Sequence, residues 1–117
     1  MSLEKLTAKA LSQKEIDRRV KEVLKNILER CKPQKIYLFG SAARGEYTEH
    51  SDFDIAIIYS DTDALKRGKK CLFSSKPNHP YAVDYLFFTQ SSFDKKLEIG
   101  GVCELIANEG QLIYSKE

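Results

Sequence analysis

Apolar residues recur every three or four positions between residues 16 and 31, which is the spacing of one face of an α-helix. Ser12 precedes this run and Glu15 stands three residues later, the arrangement of a capping box at a helix start. Lys32-Pro33 interrupts the periodicity and ends the helix. The pattern predicts a helix over about residues 13–31 that packs on one face of a sheet.

Three later apolar runs, at about residues 35–39, 53–59 and 81–88, predict β-strands. The second run does not alternate between apolar and polar residues, which predicts a central strand that is covered on both faces. The third run is rich in aromatic and β-branched residues. Residues 112–114 are predicted to form a short extended tail.

The segments between these strands carry weaker signals. Residues 64–73 have the composition of a helix that Gly68 weakens, and residues 74–80 are a loop by composition. After the third strand, the apolar spacing predicts two helical pieces that are broken at Gly100-Gly101. Residues 1–11 are expected to be ragged or loosely helical.

The length of 117 residues predicts one domain over residues 1–117. Hydrophobic residues at 42% and charged residues at 31% are ordinary for a globular protein, and no apolar stretch approaches the ~20 residues of a membrane span. No signal peptide is visible, and the cysteine usage described next predicts a cytoplasmic location. A net charge of +2 is too small to indicate nucleic-acid binding by itself.

The three cysteines, Cys31, Cys71 and Cys103, are odd in number and form no C-x-x-C pair. This usage predicts reduced thiols rather than disulfides or a zinc site.

Candidate chemistry is concentrated between the first two predicted strands. Gly40-Ser41 follows the first strand, and a tight turn opening a short helix there would offer N–H groups and a hydroxyl to an anion. Asp52 and Asp54 stand at the start of the second strand, where they share one face roughly 6–7 Å apart. Carboxylates at that separation can converge on one hard cation. Together these features are suited to phosphoryl or nucleotidyl transfer.

Asp84 lies inside the third apolar run. A carboxylate buried in a strand is costly unless it is paired, protonated or bound to a metal ion, which makes Asp84 a candidate site residue. The alternative is an aspartate on an edge strand that faces solvent.

Two further residues of the stretch have open roles. Arg44 is suited to a bidentate contact with phosphate oxygens, but an ion pair with Glu46, Glu49 or one of the aspartates is an equal alternative. Ser51 immediately precedes Asp52 and is expected to orient that side chain.

Other polar or charged positions are expected to face water. His50 and His79 lie in polar loops, and Tyr47 is expected to be an exposed loop residue rather than a platform for a nucleotide base. The basic cluster at residues 66–70 invites a nucleic-acid or triphosphate interpretation, but charge runs are more often solvated faces.

The combination of Gly40-Ser41, Arg44-Gly45 and Ser51-Asp52-Phe53-Asp54 at this spacing resembles the signature of the DNA polymerase β-type nucleotidyltransferase superfamily. It is most similar to the small "minimal nucleotidyltransferase" (MNT) members, and the resemblance covers residues 34–116. The resemblance implies an α+β fold of the polymerase β palm type, a small mixed β-sheet covered by helices.

The resemblance also implies the site residues and their ligands. In the family a third carboxylate comes from the strand beside the Asp-x-Asp strand, and Asp84 matches that place. The implied activity is transfer of a nucleoside monophosphate, AMP from ATP, to a hydroxyl, with two Mg²⁺ ions for which Mn²⁺ can substitute. The implied metal ligands and catalytic residues are Asp52, Asp54 and Asp84, and the implied nucleotide-binding residues are Gly40, Ser41 and Arg44.

Partners are implied in the same way. Stand-alone MNT proteins often pair with a small helical HEPN-domain protein as antitoxin and toxin, so the acceptor hydroxyl is expected on such a partner. The alternative is a module without catalysis that neutralises its partner by complex formation. Membrane and nucleic-acid partners are not expected, and self-association is left open.

Overall fold

A four-stranded sheet lies at the centre of the structure, which is a computed structural model that describes residues 9–116. The strands are β1 (Lys35–Phe39), β2 (Phe53–Tyr59), β3 (Val83–Thr89) and β4 (Gln111–Ser115). The helices are α1 (Gln13–Arg30), α2 (Thr62–Leu72), α3 (Gln90–Ile99) and α4 (Val102–Glu109).

The sheet is mixed, with the strand order β3-β2-β1-β4. β1 pairs antiparallel with both β2 and β4, whereas β2 and β3 run parallel. Every residue of β2 except Asp54 is buried, which confirms the prediction of a central strand. The predicted tail at residues 112–114 is longer than expected, because it forms the edge strand β4 against β1.

Both sheet faces are covered, and each has its own apolar core. α1 and α2 cover the first face, where the core includes Ile16, Ile27, Ile36, Ile55, Ile57 and Tyr59. α3 and α4 cover the second face, where the core consists of Ala56, Ile58, Phe88, Phe93, Cys103 and Ile106. Asp54 and Asp84 belong to the second face by strand alternation, but they stand before the stretch that these helices cover.

Only one of the two hydrogen bonds of the predicted capping box forms at the start of α1. The Ser12 hydroxyl accepts a hydrogen bond from the Glu15 N–H at 3.2 Å, whereas the Glu15 carboxylate binds Arg18 and Arg19. α1 therefore begins where the sequence predicts and ends one residue earlier.

α2 is a regular helix in spite of its glycine. The Asp61 carboxylate caps it by accepting from the Ala64 N–H at 2.8 Å. Gly68 faces the ring and hydroxyl of Tyr59 so closely that a Cβ atom there would collide with them. The glycine therefore allows α2 to approach β2, which a local propensity argument does not reveal.

The segment before α1 pairs with the loop that precedes β2. Ala10 forms an antiparallel bridge with Thr48, and the Leu11 N–H donates to the Tyr47 carbonyl at 2.8 Å. The expectation of a ragged or loosely helical start is therefore wrong for Ala10 and Leu11, and for residues 1–8 it lies outside the described residues. Within residues 9–116, no helix is both long and apolar enough to cross a membrane.

Candidate active site

An open cavity of about 370 Å³ lies where β1 ends and where β2 and β3 begin. It brings the three sequence-predicted carboxylates together with the Gly-Ser turn and the loop that precedes β2. The lining residues are Ser41, Thr48, His50, Ser51, Asp52, Asp54 and Asp84.

The register of the parallel strands places two of the carboxylates side by side. Asp54 of β2 and Asp84 of β3 are direct partners across the ladder, so their side chains leave the same face of the sheet about 4.8 Å apart. Asp52 precedes β2 and is exposed, while Asp54 is half-buried. The arrangement gathers three acidic groups at one edge of the cavity.

Asp84 is exposed, not buried as its apolar neighbours suggested. β3 is an edge strand, so the alternative of an edge-strand aspartate is correct. The apolar character of the run comes from Tyr85 and Phe87, whose rings meet Phe73 on the opposite face. Asp84 nevertheless lines the cavity together with Asp52 and Asp54.

The environment of Asp54 disfavours its ionised form. Burial is the largest cause that raises the pKa of this carboxyl group, and the charges of Asp84 and Asp52 raise it further. Arg44 acts in the opposite direction and is the weakest of these causes. A site that concentrates negative charge in this way is prepared for a cationic ligand.

We expect Asp54→Asn to raise the melting temperature at neutral pH. Because the folded pKa lies above the unfolded value of 3.8, ionised Asp54 costs stability at every pH above its folded pKa. As the pH falls through that folded pKa the cost disappears, so the gain of the variant should vanish below about pH 3.8. Thermal unfolding at neutral and acidic pH tests this. A variant that is less stable than wild type at neutral pH would contradict it.

The turn after β1 is not the short helix that the sequence analysis expected. Residues 40–45 form consecutive turns, in which the Glu46 N–H donates to the Ser41 carbonyl at 2.8 Å and the Arg44 N–H to the Gly40 carbonyl at 3.2 Å. Gly45, with φ of +74°, directs the chain out of the helical region. The turn still presents N–H groups, since those of Ser41 and Ala42 have no backbone partner within residues 9–116.

The fold itself requires glycine at position 40, in addition to any need for a ligand to approach the backbone closely. The φ of Gly40, +72°, lies in the left-handed region that favours glycine. In addition, a Cβ atom on Gly40 would collide with Oδ2 of Asp54, which pairs with the preceding residue, Phe39, across the β1–β2 ladder. The glycine therefore makes room for the central carboxylate of the site.

Arg44 forms the ion pair with Glu46, which is one of the alternatives that the sequence analysis left open. Its Nε lies 3.2 Å from Oε2 of Glu46, and both side chains are exposed. An exposed pair of this kind contributes only about 0–1 kcal/mol, so the guanidinium group can exchange Glu46 for another anion at little cost.

Ser51 fixes the loop before β2. Its hydroxyl accepts from the Thr48 N–H at 3.0 Å, and its own N–H donates to the Thr48 carbonyl at 3.0 Å. The His50 N–H donates to the Thr48 hydroxyl at 3.2 Å. Sequence reasoning missed Thr48 and His50 as cavity residues, although their position within four residues of Asp52 was an available signal.

Two expectations of exposure are wrong. Tyr47 is buried and its ring stacks on Phe53 at 4.3 Å, which anchors the loop to the core. His79 is buried as well, and its Nδ1 accepts from the Tyr81 N–H at 3.2 Å. Loop composition did not reveal the burial of His79, because a distant residue holds its loop. The guanidinium group of Arg30 donates to the Ser75 carbonyl at 2.7 Å.

The donor chemistry of the cavity fits a magnesium-type ion. Asp52, Asp54 and Asp84 offer only carboxylate oxygens, which hard divalent cations prefer. Across residues 9–116, no three His, Cys, Asp or Glu side chains stand close enough to hold a metal ion as they are oriented. Asp52 and Asp84 are exposed, so their side chains are free to rotate toward an ion beside Asp54.

Comparisons with known proteins show which domain family the sequence matches. A family model described as "Nucleotidyltransferase domain" matches residues 18–113. Two proteins of Methanocaldococcus jannaschii, each named a putative protein adenylyltransferase, are similar in sequence. One is 37% identical over 59 residues (50% of this chain and 54% of the relative), and the other 46% identical over 56 residues (47% and 53%). The chain thus spans about half the length of the curated relatives it matches.

Two solved structures share the fold. The crystal structure of a putative nucleotidyltransferase from Sulfolobus solfataricus has a TM-score of 0.56 at 20% identity, over 94% of this chain and 93% of that one. A toxin–antitoxin crystal structure with AMP-PNP has a TM-score of 0.52 at 23% identity, over 83% of this chain and 73% of that one. These likenesses concern the fold, and they confirm the predicted mixed α+β architecture.

Proposed function

This chain belongs to the nucleotidyltransferase domain family, and from that premise we propose that it transfers AMP from ATP to a hydroxyl group of a partner protein. The observation that carries the proposal is the cavity in which Asp52, Asp54 and Asp84 face the Gly40-Ser41 turn. The names of the two sequence relatives, which describe protein adenylyltransferases, support AMP as the group and protein as the acceptor.

Asp52, Asp54 and Asp84 would hold the Mg²⁺ ions, two in number and replaceable by Mn²⁺. When bound, such ions neutralise phosphate charge and orient the reacting groups. Asp54 lies in a central strand and is half-buried, whereas the other two carboxylates are exposed and would adjust to it. The shape of the site thus depends on Asp54 most of all.

The remaining residues would bind the nucleotide and move a proton. The N–H groups of Ser41 and Ala42 and the Ser41 hydroxyl would donate to triphosphate oxygens, and Arg44 would leave Glu46 to bind them as well. In the reaction the acceptor oxygen bonds to the α-phosphorus while pyrophosphate leaves. Asp84, exposed at the sheet edge, would accept the proton of the incoming hydroxyl, unless water takes it.

The proposed partner is a small helical protein of the HEPN class, with a tyrosine or another hydroxyl as acceptor. This rests on the resemblance to MNT antitoxins, and the toxin–antitoxin crystal structure that shares the fold supports a toxin as the partner. A cytoplasmic location, where ATP is available, belongs to the same proposal.

The test is an incubation of the purified protein with Mg²⁺, a candidate HEPN partner and ATP labelled either at the α- or at the γ-phosphate. We expect the α-label to appear on a partner hydroxyl, with the mass of one AMP group, and the γ-label to stay in pyrophosphate. Transfer of the γ-label would mean that the protein is a kinase. A stable complex without any label would favour a module that only binds its partner.

A further inference from the structure

A second cavity lies on the α1 and α2 side of the sheet and contains two of the three thiols. It has a volume of about 250 Å³, and Cys31 and Cys71 both line it. Cys31 caps the end of α1 and is buried, whereas Cys71 lies in the last turn of α2 and is exposed. One thiol is therefore open to reagents in solution while the other is buried.

The packing of α2 places Cys71 at the cavity that Cys31 also lines. Ala64, Gly68 and Cys71 recur at the spacing of one helix face and line the cavity together. Gly68 lies directly on the Tyr59 ring, so α2 approaches β2 as closely as backbone allows. Cys71 follows Gly68 by about one helical turn and lines the same cavity from its exposed side.

Tyr59 supplies the link to Cys31. Its hydroxyl is buried and has no hydrogen-bond partner within residues 9–116. Burial raises the pKa of Tyr59, and the adjacent Cys31 thiol raises it further, with a smaller effect from Cys71. Gly68 of α2 lies against the Tyr59 ring and hydroxyl, and Cys31 and Cys71 line the same cavity of about 250 Å³, which places both thiols around one small volume.

We propose that Cys31 and Cys71 form a reversible disulfide on exposure to a peroxide. The exposed Cys71 thiol reacts first, taking one oxygen from the peroxide to give a sulfenic acid and releasing water or an alcohol. The Cys31 thiol then attacks that sulfur, leaves its hydrogen bond to the Ile27 carbonyl, and releases a second water. Two thiols are oxidised, one peroxide is reduced, and a thiol reductant reverses the change.

The disulfide would join the two helices that cover the first sheet face. The closed loop would run from residue 31 to residue 71 and would contain β1, the Gly40-Ser41 turn, the carboxylate pair and β2. Closing a loop of this length restricts the unfolded chain, so the oxidised protein should be more stable than the reduced one. The proposal is independent of the transfer activity.

The test treats the folded protein with hydrogen peroxide, blocks remaining thiols with N-ethylmaleimide and measures the products by mass spectrometry. Wild type and the control Cys103→Ser should lose two hydrogens and yield a linked peptide pair containing residues 31 and 71. The oxidised form should melt about 10 °C higher, and dithiothreitol should restore the reduced value. Cys31→Ser and Cys71→Ser should show neither change.

Several results would overturn the proposal. These are oxidation of Cys71 to a sulfinic acid while Cys31 stays free, a link that involves Cys103, or a link between two chains. Cys103 is the matched control because it is also buried but lies in the core of the opposite sheet face.

Discussion

Asp52→Asn and Asp54→Asn should each reduce AMP transfer by more than a hundredfold while the protein stays folded. Replacing a partner of a metal ligand typically costs about 10–100-fold, so removing a ligand itself should cost more. Asparagine keeps the size of the side chain but loses the charge on which a divalent cation depends. The measurement is the rate of α-label transfer from ATP to the partner, with thermal unfolding of each variant in parallel.

Asp63→Asn is the matched control for this experiment. Asp63 is an exposed aspartate in the first turn of α2 and lies outside the cavity, so its replacement should leave transfer near the wild-type rate. Wild-type transfer by Asp52→Asn or Asp54→Asn would show that the carboxylates serve the structure alone. Carboxylates that repel one another should not be needed for folding. A cavity variant that unfolds would therefore also indicate a structural role for them.

The elements that depend on local sequence patterns were predicted correctly from the sequence. The apolar period of α1 and the uninterrupted apolar run of β2 are properties of neighbouring residues, and both elements form where they are predicted. Strand alternation also places Asp52 and Asp54 toward one face, and both line the cavity. These inferences succeeded because no distant part of the chain had to be known.

The features that were not predicted from the sequence depend on contacts between residues that are far apart in the chain. Asp84 is exposed because β3 is an edge strand, and strand order is set by the whole sheet. Tyr47 and His79 are buried because their loops pack against Phe53 and α1, respectively, although their immediate neighbours are polar. A loop residue therefore cannot be assigned to solvent from composition when long-range contacts decide its position.

Gly40 combines a local and a distant requirement, which makes it the most informative single position of the site. Its positive φ follows from the turn, whereas its collision with Asp54 follows from the pairing of β1 with β2. Gly101 shares the first property but not the second, since its φ is +90° and no atom lies within 4 Å of a Cβ placed there. A comparison of substitutions at the two glycines therefore distinguishes the effect of backbone strain from the effect of displacing the Asp54 carboxylate.

Gly40→Ala should weaken ATP binding in Mg²⁺ strongly, because the new methyl group displaces the Asp54 carboxylate and disturbs the turn that faces the phosphates. Gly101→Ala should lose about 1–3 kcal/mol of stability to backbone strain, because φ of +90° with ψ of −146° is a conformation that essentially only glycine adopts, yet it should bind ATP as the wild type does. Ser41→Ala removes one hydroxyl and should cost about 1–3 kcal/mol of ATP binding. Calorimetric titration with ATP and with adenosine measures these effects. Adenosine binding should change far less, because it has no phosphates, so equal losses for both ligands would mean that the turn shapes the pocket without binding phosphate.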